Sequence, residues 1–314
     1  MNKKHSSQFY IGAGAAFFAM ACWGTVPVFM KYLTGYMDSW TMNMYRYGVA
    51  ASLYIPFLAY YWKKGLLTRR LFVLSLYPTS VNIIGQILWA VSPYYLDPGL
   101  MGIFIKTSVI WSTASSFLFF KDERPLMKIP GFWIGTLLTF GSFIGMSVTE
   151  LNLSEKASVT GLIVILTCSV FWGLYPVAVK MTLKKTNPML SFGLICINTS
   201  VVLIILGCLK GEPGVITDIP LKAVSILIVS AIIGIALSHI AYYIALNAIG
   251  VVASTNITMA TPLYTLILAS IFLNVDITSG KIIFGAGIIA GVFLVTFIRH
   301  RINRTRNAEV GMRS

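Results

Sequence analysis

The stretch CWGTVPVFMK, residues Cys22–Lys31, occurs a second time as FWGLYPVAVK, residues Phe171–Lys180. The two copies share Trp, Gly, Pro, Val and Lys at the same spacing. They lie 149 residues apart, which is nearly half of the 314-residue chain. Each copy places a glycine and a proline inside an otherwise apolar run. The repeat therefore predicts that the chain consists of two related halves.

The composition is that of a membrane protein. Hydrophobic residues make up 57% of the chain, charged residues make up 11%, and the mean hydropathy is +0.80. Soluble domains carry about a quarter charged residues. The net charge of +14 would suit a nucleic acid only if the basic residues formed a soluble face. No such domain is predicted, so we expect a lipid bilayer as partner and no nucleic acid.

The cysteines and the N-terminus give further limits. Cys22, Cys168, Cys196 and Cys208 lie in apolar runs without the spacing of a zinc site or a disulfide framework. We therefore expect no metal site and no cofactor. The basic segment MNKKHSSQF precedes an uncharged run that is longer than the core of a signal peptide. This run is interpreted as a retained first membrane span.

Charges and turn residues divide the apolar sequence into ten spans of about the length that crosses a bilayer. The least certain division lies in the uncharged stretch after residue 223, which must turn near NAIGVV, Asn247–Val252. The predicted spans are 10–33, 40–62, 71–95, 99–120, 129–149, 157–180, 188–209, 223–246, 251–273 and 281–298.

Five spans per half mean that the two halves enter the membrane from opposite sides. Residues of similar chemistry also recur at an offset of 153 residues. They are Gln86 and His239, Trp89 and Tyr242, and Glu123 and Asp276. We predict an all-α integral membrane protein of ten transmembrane helices arranged as two inverted five-helix repeats. The repeats are residues 1–152 and 153–300, and a basic tail covers 301–314. Inverted repeats are typical of secondary transporters.

The distribution of positive charge predicts the orientation. Most of the 24 Lys and Arg residues fall in the segments that are cytoplasmic if the N-terminus is inside. We therefore expect a multi-pass protein of the plasma membrane with both termini in the cytoplasm. In this arrangement Lys31 faces the outside and Lys180 faces the cytoplasm.

Several motifs together resemble the drug/metabolite transporter superfamily, specifically its EamA-type ten-span exporters. They are W-G-x-x-P-V in spans one and six, Arg46 early in span two, FLFFKDERP and IFLNVDITSG at the ends of spans four and nine, and Pro262 in ATPLYTLIL. The resemblance covers nearly the whole chain. It implies a bacterial inner-membrane carrier that exports a small polar metabolite such as an amino acid, although some members import. Span four departs from the pattern with Val109 where span nine has Pro262, and Asp276 stands where such exporters more often have Glu.

Lys106 is the charged residue that lies farthest inside a predicted span. It is eight residues past Pro98, or about 12 Å along a helix. A lysine at this depth costs about 3 kcal/mol unless it faces the protein interior or water. We predict that Lys106 marks the transport pathway and binds an anionic group of the substrate. Snorkelling to the outer interface is the alternative.

Other side chains extend this candidate substrate site. Polar groups at membrane depth can form a cavity or hold helices together, and a tryptophan in mid-span can line a cavity or pack in the core. The residues predicted to bind substrate with Lys106 are Gln86, His239, Asn82, Asn256, Trp23, Trp172 and Tyr242.

Glycine and proline recur at matched places and predict hinges. A proline removes one backbone hydrogen bond, and a glycine removes side-chain bulk one turn earlier. A passive kink is the alternative at each position. The predicted hinge residues are Gly24, Pro27, Gly173, Pro176 and Pro262.

All ten acidic residues lie at span ends, in loops or in the tail. This argues against efflux of cationic drugs by a central carboxylate. Proton coupling through His239 or Lys106 is one interpretation, and facilitated diffusion or exchange is the other. Enzyme motifs for phosphate or zinc chemistry are missing, so we expect no enzyme. A metabolite importer, a lipid-carrier flippase and, less favoured, an intramembrane enzyme remain alternatives. A homodimer is compatible with the sequence, although ten spans can enclose a pathway alone.

Overall fold

A computed structural model describes residues 3–96, 98–148, 159–184, 186–273 and 278–311. The described residues are helical with short turns. The boundary predicted between the halves, at 152 and 153, lies outside the described residues, as does Asp276. The helices are α1 (Lys3–Leu33), α2 (Ser39–Lys63), α3 (Arg69–Val91), α4 (Pro98–Ile105), α5 (Ser108–Phe119), α6 (Pro130–Val148), α7 (Val159–Leu183), α8 (Pro188–Lys210), α9 (Leu221–Ala231), α10 (Ser238–Ile249), α11 (Val251–Thr258), α12 (Thr261–Leu273) and α13 (Ser279–Gly311).

Eight helical stretches in the described part of the chain are long and apolar enough to cross a bilayer. Helix α2 and the run from α4 to α5 are not among them, although each predicted span overlaps a helix. The run is interrupted, and α5 alone has 12 residues. Large apolar side chains point away from the bundle, for example Leu137, Ile283 and Phe293, which are 68%, 68% and 70% exposed. Such faces suit lipid rather than water.

Local side chains fix several helix starts. Asp38 caps α2 by accepting hydrogen bonds from the backbone N–H groups of Trp40 and Thr41. The turn predicted near NAIGVV is confirmed, because α10 ends at Ile249 and α11 begins at Val251. Gly250 joins them with φ of +87°, a conformation that favours glycine.

The long helix contacts join the first half of the chain to the second. Helix α1 packs along α10, α2 along α8, α3 along α7, and α6 along α13. Small residues allow α6 and α13 to approach closely. A Cβ added to Gly291 of α13 would be only 2.5 Å from the carbonyl oxygen of Gly135 of α6. The core is therefore built between the halves rather than within each one.

Within the predicted spans, the described residues show helix interruptions in three places, and none of these is at the repeated W-G-x-x-P-V motif. Helices α1 and α7 continue through both copies, because a proline removes only one hydrogen bond. Breaks separate α4 from α5 and α11 from α12, and a π-helical turn, Ile232–Leu237, joins α9 to α10. The hinge role of the motif stays a prediction.

Candidate substrate pathway and charged cluster

Lys106 lies in the break between α4 and α5 and reaches across to the other half of the chain. Its Nζ donates to the backbone carbonyl of Thr258 at 3.3 Å. Thr258 is the last residue of α11, so this carbonyl belongs to the set that a helix leaves without an internal partner. A cation there also meets the negative end of the helix dipole. Thr261 Oγ1 also donates to this carbonyl, at 2.6 Å. Lys106 therefore adds a second hydrogen bond, from the other half of the chain, to the interrupted end of α11.

The two breaks fall at matching positions of the repeat. Lys106 and Thr107 separate α4 from α5, and Met259 and Ala260, 153 residues later, separate α11 from α12. The break in span four forms without a proline, three residues before Val109. In span nine Pro262 is the second residue of α12, where a missing N–H leaves no helical bond unmade.

Hydroxyl groups hold the broken helices against their neighbours. Thr107 Oγ1 donates to Ser169 Oγ of α7 at 2.8 Å. Ser112 Oγ of α5 donates to Thr255 Oγ1 of α11 at 3.3 Å. These contacts place both breaks in one neighbourhood that includes α7.

The π-helical turn exposes backbone carbonyls that side chains then bind. Ser238 Oγ donates to the carbonyl of Gly234 at 2.8 Å, and Tyr54 OH donates to that of Ala236 at 2.7 Å. His239 Nδ1 lies 2.9 Å from the carbonyl of Ile235. Because a carbonyl only accepts, Nδ1 carries the hydrogen in this contact. π-helical turns are frequent at functional sites.

His239 lies in an aromatic group with two of the predicted site residues. Its ring stacks on Phe192 at 4.3 Å between centroids, and Trp23 meets it edge-on at 5.4 Å. Trp23 also contacts Tyr242 at 5.0 Å. The structure therefore brings together Trp23, His239 and Tyr242, and it adds Phe192.

A second aromatic group occupies the matching place in the repeat. Trp172 and Trp89 lie 5.1 Å apart, as Trp23 and Tyr242 do at 5.0 Å. The Trp172 ring rests on Gly85 so closely that any added Cβ would overlap it. Gln86, the next residue, is half-buried. This group contacts the break through Gly173, where a Cβ would lie 2.5 Å from the Ser108 carbonyl.

The remaining predicted site and hinge residues lie outside these two aromatic groups. Asn82 donates to Thr199 Oγ1 at 3.1 Å and so connects α3 to α8. Asn256 is buried, and its Oδ1 has no hydrogen-bond partner among the described residues. Gly24 and Pro176 are buried in α1 and α7. The side chain of Pro27 lies outside the described residues.

A buried charged cluster lies at the end of the bundle where α10 turns into α11. Glu123 has no exposed surface, and its Oε1 accepts from Lys180 Nζ at 2.7 Å and from the backbone N–H of Val251 at 2.8 Å. Arg299 Nη1 lies 3.3 Å from Glu123 Oε2. Glu123 thus caps the start of α11, 128 residues further along the chain.

Asp122 forms the solvent side of this cluster. Its Oδ2 lies 3.2 Å from Lys180 Nζ and 3.9 Å from Lys184 Nζ. Burial opposes ionisation, but Lys180, Lys184 and Arg299 together hold the pKa of Asp122 below its usual value. The cluster borders a cleft of about 530 Å³. The turn that follows α5 thus meets α7 and α13 through ion pairs and the start of α11 through a backbone hydrogen bond, all at one end of the bundle.

Sequence reasoning did not select two functional candidates, Arg46 and Glu123. Arg46 is a charge eight residues after the Asp38 cap, the same spacing that singled out Lys106 after Pro98. The depth of Arg46 in its span could therefore have marked it as a candidate from the sequence. The position of Glu123 was less informative, because acids at span ends usually face water.

Comparisons with known proteins agree with this architecture. The model of the EamA-like transporter family matches residues 10–148 and again 159–297. A protein of Haemophilus influenzae described as an uncharacterized transporter is 26% identical over 181 residues, which cover 56% of this chain and 58% of that protein. The alignment therefore spans little more than half of that relative.

A crystal structure described only as that of a protein shares the fold. The TM-score is 0.76 at 15% identity, and the match covers 95% of this chain and 99% of the other. At this identity the likeness concerns the fold alone. The two matches of the family model together include most of the sequence, and each match contains one copy of the W-G-x-x-P-V motif. The chain therefore belongs to the EamA-like transporter family.

Proposed function

We propose that the protein is a secondary carrier that moves a small polar metabolite bearing an anionic group by alternating access. The observation that carries the proposal is the pair of helix breaks at matching positions, joined by the bond from Lys106 to the Thr258 carbonyl. Broken helices with free ends near the bilayer midplane form the substrate sites of many carriers. The halves, 1–152 and 153–300, act as two inverted five-helix units of a ten-helix bundle.

The substrate site lies between the two aromatic groups, with Lys106 as its cation. In this proposal Trp172 and the nearby Gln86 line one side, and Trp23, His239 and Tyr242 line the other. Asn256 of α11 supplies an acceptor, since its Oδ1 has no partner among the described residues. An anion that replaces the Thr258 carbonyl as partner of Lys106 removes a hydrogen bond between the two halves of the chain, next to both helix breaks. Binding and movement of the broken helices are thereby coupled.

The charged cluster around Glu123 holds the cytoplasmic ends of four helices together. Buried charges are stable only while they remain paired. Opening toward the cytoplasm separates Glu123 from Lys180 or Arg299 and exposes them to water. The cluster therefore stabilises a state closed on the cytoplasmic side, with both termini on that side of the inner membrane.

Export of an amino acid or similar metabolite is the direction that we favour, because the family resemblance points to export. The same mechanism supports export or import, because net movement follows the substrate gradient unless transport is coupled to a second gradient such as that of protons. Proton coupling enters through His239, whose Nδ1 is engaged with the Ile235 carbonyl. A single protomer contains the whole pathway, and a homodimer is not needed for it.

Uptake of labelled metabolites into reconstituted vesicles, with and without a pH gradient, tests the proposal. Lys106→Met keeps the length of the side chain and removes its charge. We expect it to reduce uptake of an anionic or zwitterionic substrate at least about tenfold, because a charge-assisted hydrogen bond is lost. Lys128→Met is the matched control, since Lys128 is exposed at the end of a short 3-10 helix, Arg124–Lys128. Equal uptake by both variants would remove Lys106 from the pathway. Movement of a lipid-linked substrate alone would favour a flippase.

A further inference from the structure

Arg46 is a buried cation on α2 that the sequence did not mark as a binding residue. The residue is 5% exposed, and its Nε donates to Ser230 Oγ at 3.1 Å. It pairs with no carboxylate among the described residues. A guanidinium has five N–H donors, so four are left for another partner. A buried charge without a counterion is costly, which makes this arrangement a candidate anion site.

The backbone carbonyls beside Arg46 in the described structure already have other partners. Gly234 of the π-helical turn lies beside the guanidinium, and a Cβ there would be 3.2 Å from Nη2. The carbonyl of Gly234 already accepts from Ser238, and that of Ile235 contacts His239. The backbone of the turn is thus engaged with its own side chains.

Arg46 belongs to the same neighbourhood as the first aromatic group. It interacts electrostatically with His239, whose ring stacks on Phe192 and meets Trp23. Val26, on the same helix as Trp23, packs against Gly234. A cation next to a wall of rings suits a ligand with one anionic group and one apolar part.

Arg46 and Lys106 lie at similar depths from the same end of the bundle. Arg46 is eight residues past the Asp38 cap of α2 and Lys106 is eight residues past Pro98, the first residue of α4, which is about 12 Å along a helix in each case. The two starts are at the same end, because Tyr94, just before α4, interacts electrostatically with Asp38, the cap of α2. Two cations at one depth, with no described carboxylate beside either, attract an anion.

We propose that Arg46 binds the carboxylate of a small organic acid whose apolar part contacts Trp23 and Phe192. The inference rests on the proposed transport function and narrows its substrate class. A guanidinium holds a carboxylate through two parallel hydrogen bonds, whereas an ammonium acts as a point charge. Among the described contacts, Arg46 uses one of its five N–H donors and Lys106 uses one of its three, so Arg46 keeps more donors for a ligand.

Thermal stabilisation of the purified protein in detergent tests this site without requiring transport. The probes are benzoate, phenylacetate and hexanoate, each compared with its primary amide. We expect at least one acid to stabilise the parent protein while its amide does not. Arg46→Gln should weaken the apparent affinity about 10- to 100-fold, because hydrogen bonds to a charged group are lost. The affinity of Arg46→Lys should lie between those of the parent and Arg46→Gln, since lysine keeps the positive charge but cannot form the two parallel hydrogen bonds of a guanidinium.

Two further variants keep the test decisive. Arg301→Gln removes an exposed cation of α13 and should leave the affinity unchanged. Ser230→Ala retains the guanidinium but removes its anchor, and it should weaken binding a few-fold even if Arg46→Gln does not fold. The site is overturned if no acid stabilises the parent more than its amide, or if both Ser230→Ala and every folded Arg46 variant bind like the parent.

The outcome is separable from that of the transport proposal. Binding that depends on Arg46, in a protein that moves no solute in vesicles, would retain the site and reject the carrier. Transport of an organic acid with the same KM in the parent and in Arg46→Gln would retain the carrier and reject the site.

Discussion

Replacement of Glu123 by Gln should destabilise the folded protein strongly. Glu123 has no exposed surface and contacts Lys180, Arg299 and the start of α11. The amide oxygen can still accept from the Val251 N–H, so the helix cap survives. Two buried cations, however, lose their counterion.

The expected size of this effect follows from the burial of the partners. Removing one member of a buried ion pair costs about 3–5 kcal/mol. Asp122 remains near Lys180 and Arg299 and offsets part of the loss, so we expect about 3 kcal/mol for Glu123→Gln. Glu123→Ala also removes the cap, which adds about 1 kcal/mol.

Equilibrium unfolding in detergent at neutral pH measures the change in the free energy of unfolding. Glu212→Gln is the matched control, because Glu212 is an exposed acid and its change should stay within about 0.5 kcal/mol. Asp122→Asn should lie between the two, since Asp122 is partly exposed to solvent. A Glu123→Gln protein as stable as the Glu212→Gln control would refute the reasoning that the cluster holds these helix ends together.

Three further predictions concern other parts of the chain. Gly250→Ala should cost about 1–3 kcal/mol, because φ is +87° and a Cβ would overlap the carboxylate of Glu123; thermal unfolding measures it. Gly173→Ala should cost about 1–3 kcal/mol and slow transport, because its Cβ would lie 2.5 Å from the Ser108 carbonyl; unfolding and vesicle uptake check this. Asp38→Ala should cost about 1 kcal/mol through loss of the α2 cap, measured across pH. Burial opposes ionisation of Asp38, but its hydrogen bonds lower its pKa, so this stability is present above the ordinary pKa of about 3.9 and is lost as the pH falls through the lowered value.

Each of these predictions has a control with the same chemical change. Gly214 and Gly102 have open space where a Cβ would stand, so Gly214→Ala and Gly102→Ala should be mild. Asp218 is an exposed acid, and Asp218→Ala should leave the acid limb of the stability curve as in the parent. Equal effects in a control and its partner variant would contradict the corresponding contact.

The sequence was sufficient for the parts of the fold that depend on local pattern. Apolar runs and charges placed the helical segments, and the glycine of NAIGVV marked a turn that the structure confirms at Gly250. Membership in a transporter family followed from the repeated W-G-x-x-P-V motif and is confirmed by the family match over both halves.

The breaks and charge contacts could not be read from local pattern because they depend on distant partners. The end of α11 accepts a hydrogen bond from Lys106, 152 residues earlier, and the start of α11 donates one to Glu123, 128 residues earlier. The Trp-Gly-Pro motif suggested a bend in α1 and α7, but both helices run through it. The π-helical turn likewise receives a hydrogen bond from Tyr54 of another helix, at the Ala236 carbonyl.

Counterflow in reconstituted vesicles tests alternating access most directly. Vesicles loaded with an unlabelled organic acid are diluted into a trace of the labelled acid, and the label inside is followed over time. A carrier that exposes one site to each side in turn accumulates label transiently above its equilibrium level. We predict this overshoot for the parent protein and its loss in Lys106→Met. Simple approach to equilibrium by the parent, without an overshoot, would contradict the proposed mechanism.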